Sequence, residues 1–250
     1  NRDLLKKYMR YGIGVTNLSV SALRREMTVV RNFLAETGQQ DICRITEKRM
    51  DGYFCGLEGK GLRPESFNVQ VMGIQHFFNF LIARGYIEKA PFCEDYYLKK
   101  VVPGHNDRCV EAETWAEILQ NLHLFPENLR LMYLHLWGIG LRISEVCTLK
   151  GDAYYIQGKD AWIKVYQTKM RRYKRIPIPY ALYRLMKIYL KRHQIGPDDY
   201  AFPSSKGEAY RSATFRLKMQ ECCEKNGIKG GEYIFRPHDY RHGIATLFYD

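Results

Sequence analysis

Apolar residues return at helical spacing through the first hundred positions. Over residues 3–11, Leu4, Leu5, Tyr8 and Met9 gather on one side of a short basic helix. Over 20–37, Leu23, Met27, Val30 and Leu34 repeat at helical intervals until Gly38, the pattern of an amphipathic helix stopped by glycine. Thr46 can cap a third helix carrying Met50, Tyr53, Phe54 and Leu57 and closed by Gly59 and Gly61, because a threonine oxygen accepts from an otherwise orphaned backbone N–H. Ser66 can cap a fourth, with Phe67, Val71, Ile74, Phe78 and Leu81 facing inward and Gly85 as its stop. Residues 1–98 therefore read as a four-helix domain.

The character changes at residues 99–108, KKVVPGHNDR, which hold Pro103, Gly104, four basic residues and no apolar period. Such a stretch reads as an interdomain linker. A second domain, 109–250, opens with a helix at 111–122 through Trp115, Ile118, Leu119 and Leu122. An apolar run from Leu129 to Trp137 predicts a buried helix, broken by the Gly-Ile-Gly at 138–140. A short helix then starts near Ser144, with Val146 and Leu149 pointing inward. The one convincing strand signal is AWIKVYQ at 161–167, which pairs with RIPIP at 175–179 across TKMRRYK, a hairpin with a basic tip. Helices follow at 181–193, through Leu182, Leu185, Met186, Tyr189 and Leu190, and at 212–226. A last one starts at Pro237, with Tyr240, Ile244, Leu247 and Phe248 as its apolar stripe. The fold class is mainly α, in two domains, with a small β-sheet or hairpin in the second.

Composition narrows the setting. The 250 residues are 46% hydrophobic and 26% charged, the balance of a folded protein. The net charge of +12 points to a polyanionic partner, most often nucleic acid, although some basic proteins are merely basic. Seven cysteines occur without a CxxC pair, and Cys43, Cys55, Cys93 and Cys147 lie in or beside apolar runs. That usage implies reduced thiols in the cytoplasm and not a disulfide framework. No signal peptide or membrane-spanning run is present in the sequence. It starts at Asn1 without a methionine, so further residues are expected upstream.

Candidate chemistry sits at charged residues near apolar joints. Arg142 lies between two buried helices, with Glu145 in the first turn that follows. One reading is an internal Arg–Glu salt bridge; the other is an arginine held for an external anion. The polar faces of the first domain carry Arg24, Arg25, Arg31, Lys48, Arg49, Lys60 and Arg63, which are either solvated or set against phosphates. The hairpin tip holds Lys169, Arg171, Arg172, Lys174 and Arg175, a repulsive cluster unless something negative lies on it. His238, Arg241 and His242 share one helix face. They could be a solvated face, a zinc site on the two histidines, or an anion site of His238 with Arg241. Zinc lacks an identifiable third ligand.

Taken together, Arg142 in GLRISEVCTLK, Lys169 on the hairpin, and His238-Asp239-Tyr240-Arg241 resemble the tyrosine recombinase, or phage integrase, family in order and spacing. The resemblance implies a helical core-binding DNA-binding domain of SAM-like type before the linker and an α+β catalytic domain after it. It implies site-specific cutting and rejoining of DNA, in which a tyrosine attacks a backbone phosphate and leaves a 3′-phosphotyrosyl link and a free 5′-hydroxyl. Arg142 and Arg241 would stabilise the transition state, since guanidinium forks match phosphate oxygens. Lys169 would be the general acid to the departing 5′-oxygen, with Lys174 as second choice. His238 would hydrogen-bond the scissile phosphate and help with proton transfer, and Glu145 would orient Arg142 or its neighbours without doing chemistry itself. Arg24, Arg25, Arg31, Lys48, Arg49, Arg63, Arg171 and Arg172 would contact duplex DNA. No cofactor and no metal are implied, nor a membrane or small-molecule partner. A tetramer on paired DNA sites, a monomer when free, and a cytoplasmic, nucleoid-associated location are expected, as for an enzyme of a mobile element.

The family places a further His or Trp, and then the nucleophilic tyrosine, some tens of residues after HxxR, whereas Asp250 lies nine residues past Arg241. Tyr240 and Tyr249 are too close to Arg241 for that role. The catalytic domain is therefore expected to be C-terminally incomplete here, the nucleophile to lie outside this chain, and these 250 residues alone to be inactive. A type IB topoisomerase-like activity and a DNA-binding protein without catalysis are the alternatives.

Overall fold

The computed structural model of the chain describes residues 2–38, 41–102, 110–167, 170–229 and 237. The chain divides into two compact units, Asn1–His105 and Asn106–Asp250.

The first unit is built on four helices: α1 Arg2–Gly14, α2 Val20–Glu36, α3 Glu47–Glu58 and α4 Pro64–Ala83. The expected stripes of α2, α3 and α4 are buried, except that Met27 is only partly so. Met9 of α1 faces outward and Tyr8 carries that contact, edge-on to Phe77 at 5.3 Å. Phe33, Phe54, Phe67, Phe77 and Phe78 are all buried, each contributing about 1.5–3 kcal/mol by leaving water. α2 and α4 approach closely at Gly73, where an added Cβ would sit 3.0 Å from Val29.

Two helix starts differ from expectation. Thr46 occupies the N-cap position of α3 without a side-chain cap bond. α4 begins at Pro64 with Arg63 as N-cap, so Ser66 lies within its first turn. Proline suits that place because its fixed φ is helical and its missing N–H would have had no partner. The first part of the expected linker is fastened to this unit: Lys99 exchanges two 2.8 Å backbone hydrogen bonds with the Asn68 side chain and pairs with Glu58 at 2.9 Å. Residues 103–108 of that stretch lie outside the described residues.

The second unit contains α5 Ala112–Gln120, α6 Glu127–Ile139, α7 Ile143–Cys147, β1 Tyr154–Gln157, β2 Asp160–Gln167, β3 Arg172–Ile178, α8 Tyr180–Arg192 and α9 Ser212–Lys225. Its strands form one antiparallel sheet in the order β1-β2-β3. β1 was absent from the sequence-based expectation. Only four residues long, it is joined to β2 by the two-residue loop Gly158-Lys159, with Gly158 at φ 65. The hairpin strands run further than expected: Gln167 pairs with Arg172, so Arg172, Lys174 and Arg175 belong to β3 and not to its turn. Leu185, expected on the buried stripe of α8, is exposed; Leu182, Met186, Tyr189 and Leu190 are buried. Of the helix expected from Pro237, every residue after Pro237 itself lies outside the described residues.

At the centre of this unit His135 of α6 is fully buried. Its Nδ1 donates to the Leu131 carbonyl at 2.7 Å and its Nε2 accepts from the Tyr154 hydroxyl at 2.8 Å. Burial pushes its pKa down to about 4, so the ring is neutral at neutral pH. Among the described residues, no helix is long and apolar enough to cross a membrane.

Candidate active site

The site begins with the end of α6. Gly138 and Ile139 continue the helix, and Gly140 alone ends it, at φ 62 and ψ 29. That left-handed conformation favours glycine. Gly140 N–H bonds to the Leu136 carbonyl and Leu141 N–H to the His135 carbonyl, both at 3.2 Å. Leu141 is thereby driven into the core, and the next residue, Arg142, becomes the N-cap of α7.

Glu145 closes this turn. Its Oε2 accepts the Arg142 backbone N–H at 3.0 Å and its Oε1 accepts Arg142 Nη1 at 3.0 Å. The first bond is the reciprocal half of a capping box; the second fixes the guanidinium. The internal salt bridge is thus present. It leaves the arginine side chain 43% exposed while the glutamate is 4% exposed. Arg142 is therefore not entombed in the apolar joint: its partner is buried and its head is open.

A third group joins them. Lys174 on β3 lies opposite Val165 of β2, and its ammonium is 3.4 Å from Glu145 Oε2. Burial pushes the Glu145 carboxyl up, but the Arg142 N–H, the Lys174 charge and the Arg142 guanidinium outweigh it, and the net shift is downward. The carboxylate is held ionised, as an orienting group must be. Cys147, on the same short helix, is buried, and burial pushes its thiol up to about 11. It is therefore a packing residue and no nucleophile at neutral pH.

Lys169, His238 and Arg241 lie outside the described residues, as does His242 of the zinc reading. Among the described residues no cluster of three or more His, Cys, Asp or Glu could hold a metal. Arg171 is exposed in the hairpin turn at φ 51, and Arg172 is exposed at the start of β3. In the first unit Arg24, Arg25, Arg31, Lys48, Arg49 and Arg63 are all exposed. Arg49 differs from the others in donating to the Glu36 carbonyl at 3.0 Å, which ties α3 to the end of α2. Lys60 is paired with Glu36. What sequence reading missed was the place of Lys174 beside Glu145. The signal was there, in the two-residue alternation of Lys174, Ile176 and Ile178 on the inward face of β3.

The two-unit arrangement, helical first and with a three-stranded sheet in the second, is that of solved integrases. The fold is similar to that of a lambda integrase dimer bound to a COC′ core site, with a TM-score of 0.69 at 18% identity, covering 99% of this chain and 69% of that one. Residues 108–250 match the phage integrase family, and residues 5–85 match the N-terminal SAM-like domain of phage integrases. The chain belongs to the phage integrase family of tyrosine recombinases. Among its relatives, transposase B from transposon Tn554 of Staphylococcus aureus is 25% identical over 98% of this chain, which spans 40% of that protein's length. Tyrosine recombinase XerA of Pyrococcus furiosus is 28% identical over 78% of this chain and 64% of the relative.

Proposed function

We propose that this chain carries the core-binding and catalytic regions of a site-specific DNA recombinase, which breaks and rejoins duplex DNA through a 3′-phosphotyrosyl intermediate. The observation that carries this reading is the orientation of Arg142. A buried, ionised Glu145 grips one edge of its guanidinium and its backbone, and much of the side chain remains open. A cation held in this way is preorganised for an anion arriving from solvent, which is what a phosphoryl transition state needs.

In the proposed step a tyrosine oxygen attacks the scissile phosphorus, its hydroxyl proton passing to His238, and the bond from phosphorus to the 5′-oxygen breaks. Arg142, with Arg241 and His238, takes the charge that grows on the non-bridging oxygens. Lys169 gives a proton to the departing 5′-oxygen, which leaves as a hydroxyl. Attack by a partner strand's 5′-hydroxyl reverses the step and rejoins the DNA. By the family's spacing, the tyrosine comes from sequence beyond Asp250, so residues 1–250 alone bind DNA without forming an adduct. The exposed Arg24, Arg25, Arg31, Lys48, Arg49 and Arg63, with Arg171 and Arg172, supply phosphate contacts. The active assembly is a tetramer on two paired sites.

The test is covalent capture. Full-length protein is incubated with a randomised duplex pool, adducts are isolated under denaturing conditions, and the DNA end joined to protein is mapped. The expected product is a tyrosine linked to a 3′-phosphate, with a free 5′-hydroxyl. Failure to form any adduct, or linkage to a 5′-end, would sink the proposal. Relaxation of supercoiled plasmid with no dependence on sequence would move the reading to a type IB topoisomerase.

A further inference from the structure

Lys174 lies on the face of β3 that a lysine ordinarily avoids. Its register partner Val165 is fully buried, and it shares its side of the strand with Ile176 and Ile178. Tyr173 and Arg175 are exposed on the other side. An ammonium on an inward sheet face is costly unless a counter-charge meets it. The counter-charge is Glu145, 29 residues earlier, at 3.4 Å. Glu145 divides its two oxygens between elements: Oε1 takes the Arg142 guanidinium, and Oε2 takes the Arg142 N–H together with Lys174. One carboxylate thus fastens the hairpin to the turn that presents Arg142.

We infer that Lys174 is a positioning residue for DNA cleavage: through Glu145 it fixes β3 against the Arg142 turn, so that hairpin and guanidinium keep one geometry around the scissile phosphate. This rests on the recombinase reading above. It separates the two lysines of the hairpin, giving Lys169 the proton transfer and Lys174 the alignment. The ammonium of Lys174 is directed at a carboxylate that is 4% exposed, which is the wrong direction for reaching a leaving group on bound DNA.

Loss of Lys174 removes one of the interactions that keep Glu145 ionised. Among the described residues the charged groups facing Glu145 are Arg142, from its own turn, and Lys174, from β3. Without Lys174 the carboxyl protonates at higher pH and its hold on Arg142 slackens. The acid limb of the cleavage profile should therefore move to higher pH.

The experiment uses full-length protein on a nicked duplex obtained by covalent capture with the parent, made with either a 5′-oxygen or a 5′-thiol leaving group. Lys174→Met should lower single-turnover cleavage about tenfold, the size of one hydrogen bond between charged groups. The thiol should not rescue it, and its acid limb should rise. Lys174→Arg, which keeps the charge, should return most of the rate. Lys169→Met should be slow with oxygen and rescued by sulfur. If Lys174→Met reduces folding, as read by its melting temperature, the decisive pair is Lys174→Gln alone and combined with Glu145→Gln; because each change breaks the same contact, the two should not be additive. Rescue of Lys174→Met by the thiol, a parental rate and pH profile, or additivity in the pair would each overturn the inference. A parent that forms no adduct on any captured duplex would instead overturn the recombinase reading itself.

Discussion

Among the described residues each unit buries one glutamate, and the two are held in different ways. In the first, Glu26 of α2, 9% exposed, accepts from the Tyr8 hydroxyl at 2.8 Å and meets His76 Nδ1 at 3.0 Å. In the second, Glu145, 4% exposed, meets Arg142 and Lys174. Burial pushes both carboxyls up, and in both the partners more than reverse it. The first glutamate's partners are a phenol and a titratable imidazole, so the contact is a tie among α1, α2 and α4. The second has a permanently charged guanidinium, part of which stays exposed. A tie between helices needs only that its members satisfy one another. A site needs one member that is held and still available, and arginine can do both because its fork has donors to spare.

The strongest way to break this contrast is at Arg142. Arg142→Ala in the full-length protein should lower adduct formation about 10²–10³-fold, the usual effect of losing one transition-state donor, with duplex binding nearly unchanged. Adduct formation at the parental rate would make the Arg142–Glu145 pair a tie like the one in the first unit.

Glu26→Ala should do the opposite, lowering stability and leaving the chemistry of the folded protein intact. It strands the Tyr8 hydroxyl on a residue that is 2% exposed, which costs about 1–3 kcal/mol. Urea unfolding followed by tyrosine fluorescence measures this. A midpoint equal to the parent's would show that the tie carries no stability.

The open cations of the first unit sharpen the contrast in another way, because the proposed function gives them binding and not reaction. Arg24→Gln and Arg31→Gln should each reduce the slope of log affinity against log salt by about 0.9, the release of one condensed counterion per phosphate contact. Cleavage at saturating protein should not change. An unaltered slope would remove that arginine from the interface.

The smallest expected effect separates the two glutamates by pH. The Glu26 hydrogen bond raises the His76 pKa against the opposing effect of burial, with Glu94 adding to the rise. A raised histidine pKa contributes stability that is complete below its unfolded value, about 6.5, and is lost as pH rises through the folded value. Glu26, with its lowered pKa, contributes above the ordinary carboxylate range and loses that contribution as pH falls through its own. His76→Ala should therefore destabilise more at pH 6 than at pH 9. The difference should be under about 1 kcal/mol, because an ion pair this open to solvent is screened; the His76 side chain is 48% exposed. Equal destabilisation at both pH values would show that His76 acts by packing alone.

The helices were legible in the sequence because each buries a stripe whose period matches its own turn: Met50, Tyr53, Phe54 and Leu57 of α3 are all inward. β1 was not, since four residues cannot display a period and Tyr154–Gln157 reads equally well as loop. The mark that could have found it was Gly158, placed first in a two-residue turn. Ser66 misled because a capping residue and a proline competed two positions apart, and the ring's fixed geometry decided the start. At the site, the Arg142–Glu145 pairing was legible from three-residue spacing at a helix start. Which partner would be open was not, because exposure depends on how α7 packs against β2 and α9. The place of Lys174 was hidden by counting it in the hairpin turn: with the strand begun at Arg175 it had no sheet face, and the three residues added at the start of β3 put it in step with Ile176 and Ile178.

His135 makes the second unit its own reporter. The imidazole Nδ1 proton is enclosed in the core and fixed on a carbonyl, so it can exchange with solvent only when that core opens. Such a proton gives a separate resonance in a proton spectrum, well away from the amide envelope. The same residue's carbonyl anchors Leu141, immediately before Arg142. The persistence of one line in deuterated water would therefore time the opening of the segment that presents the arginine, without any label or any DNA in the tube.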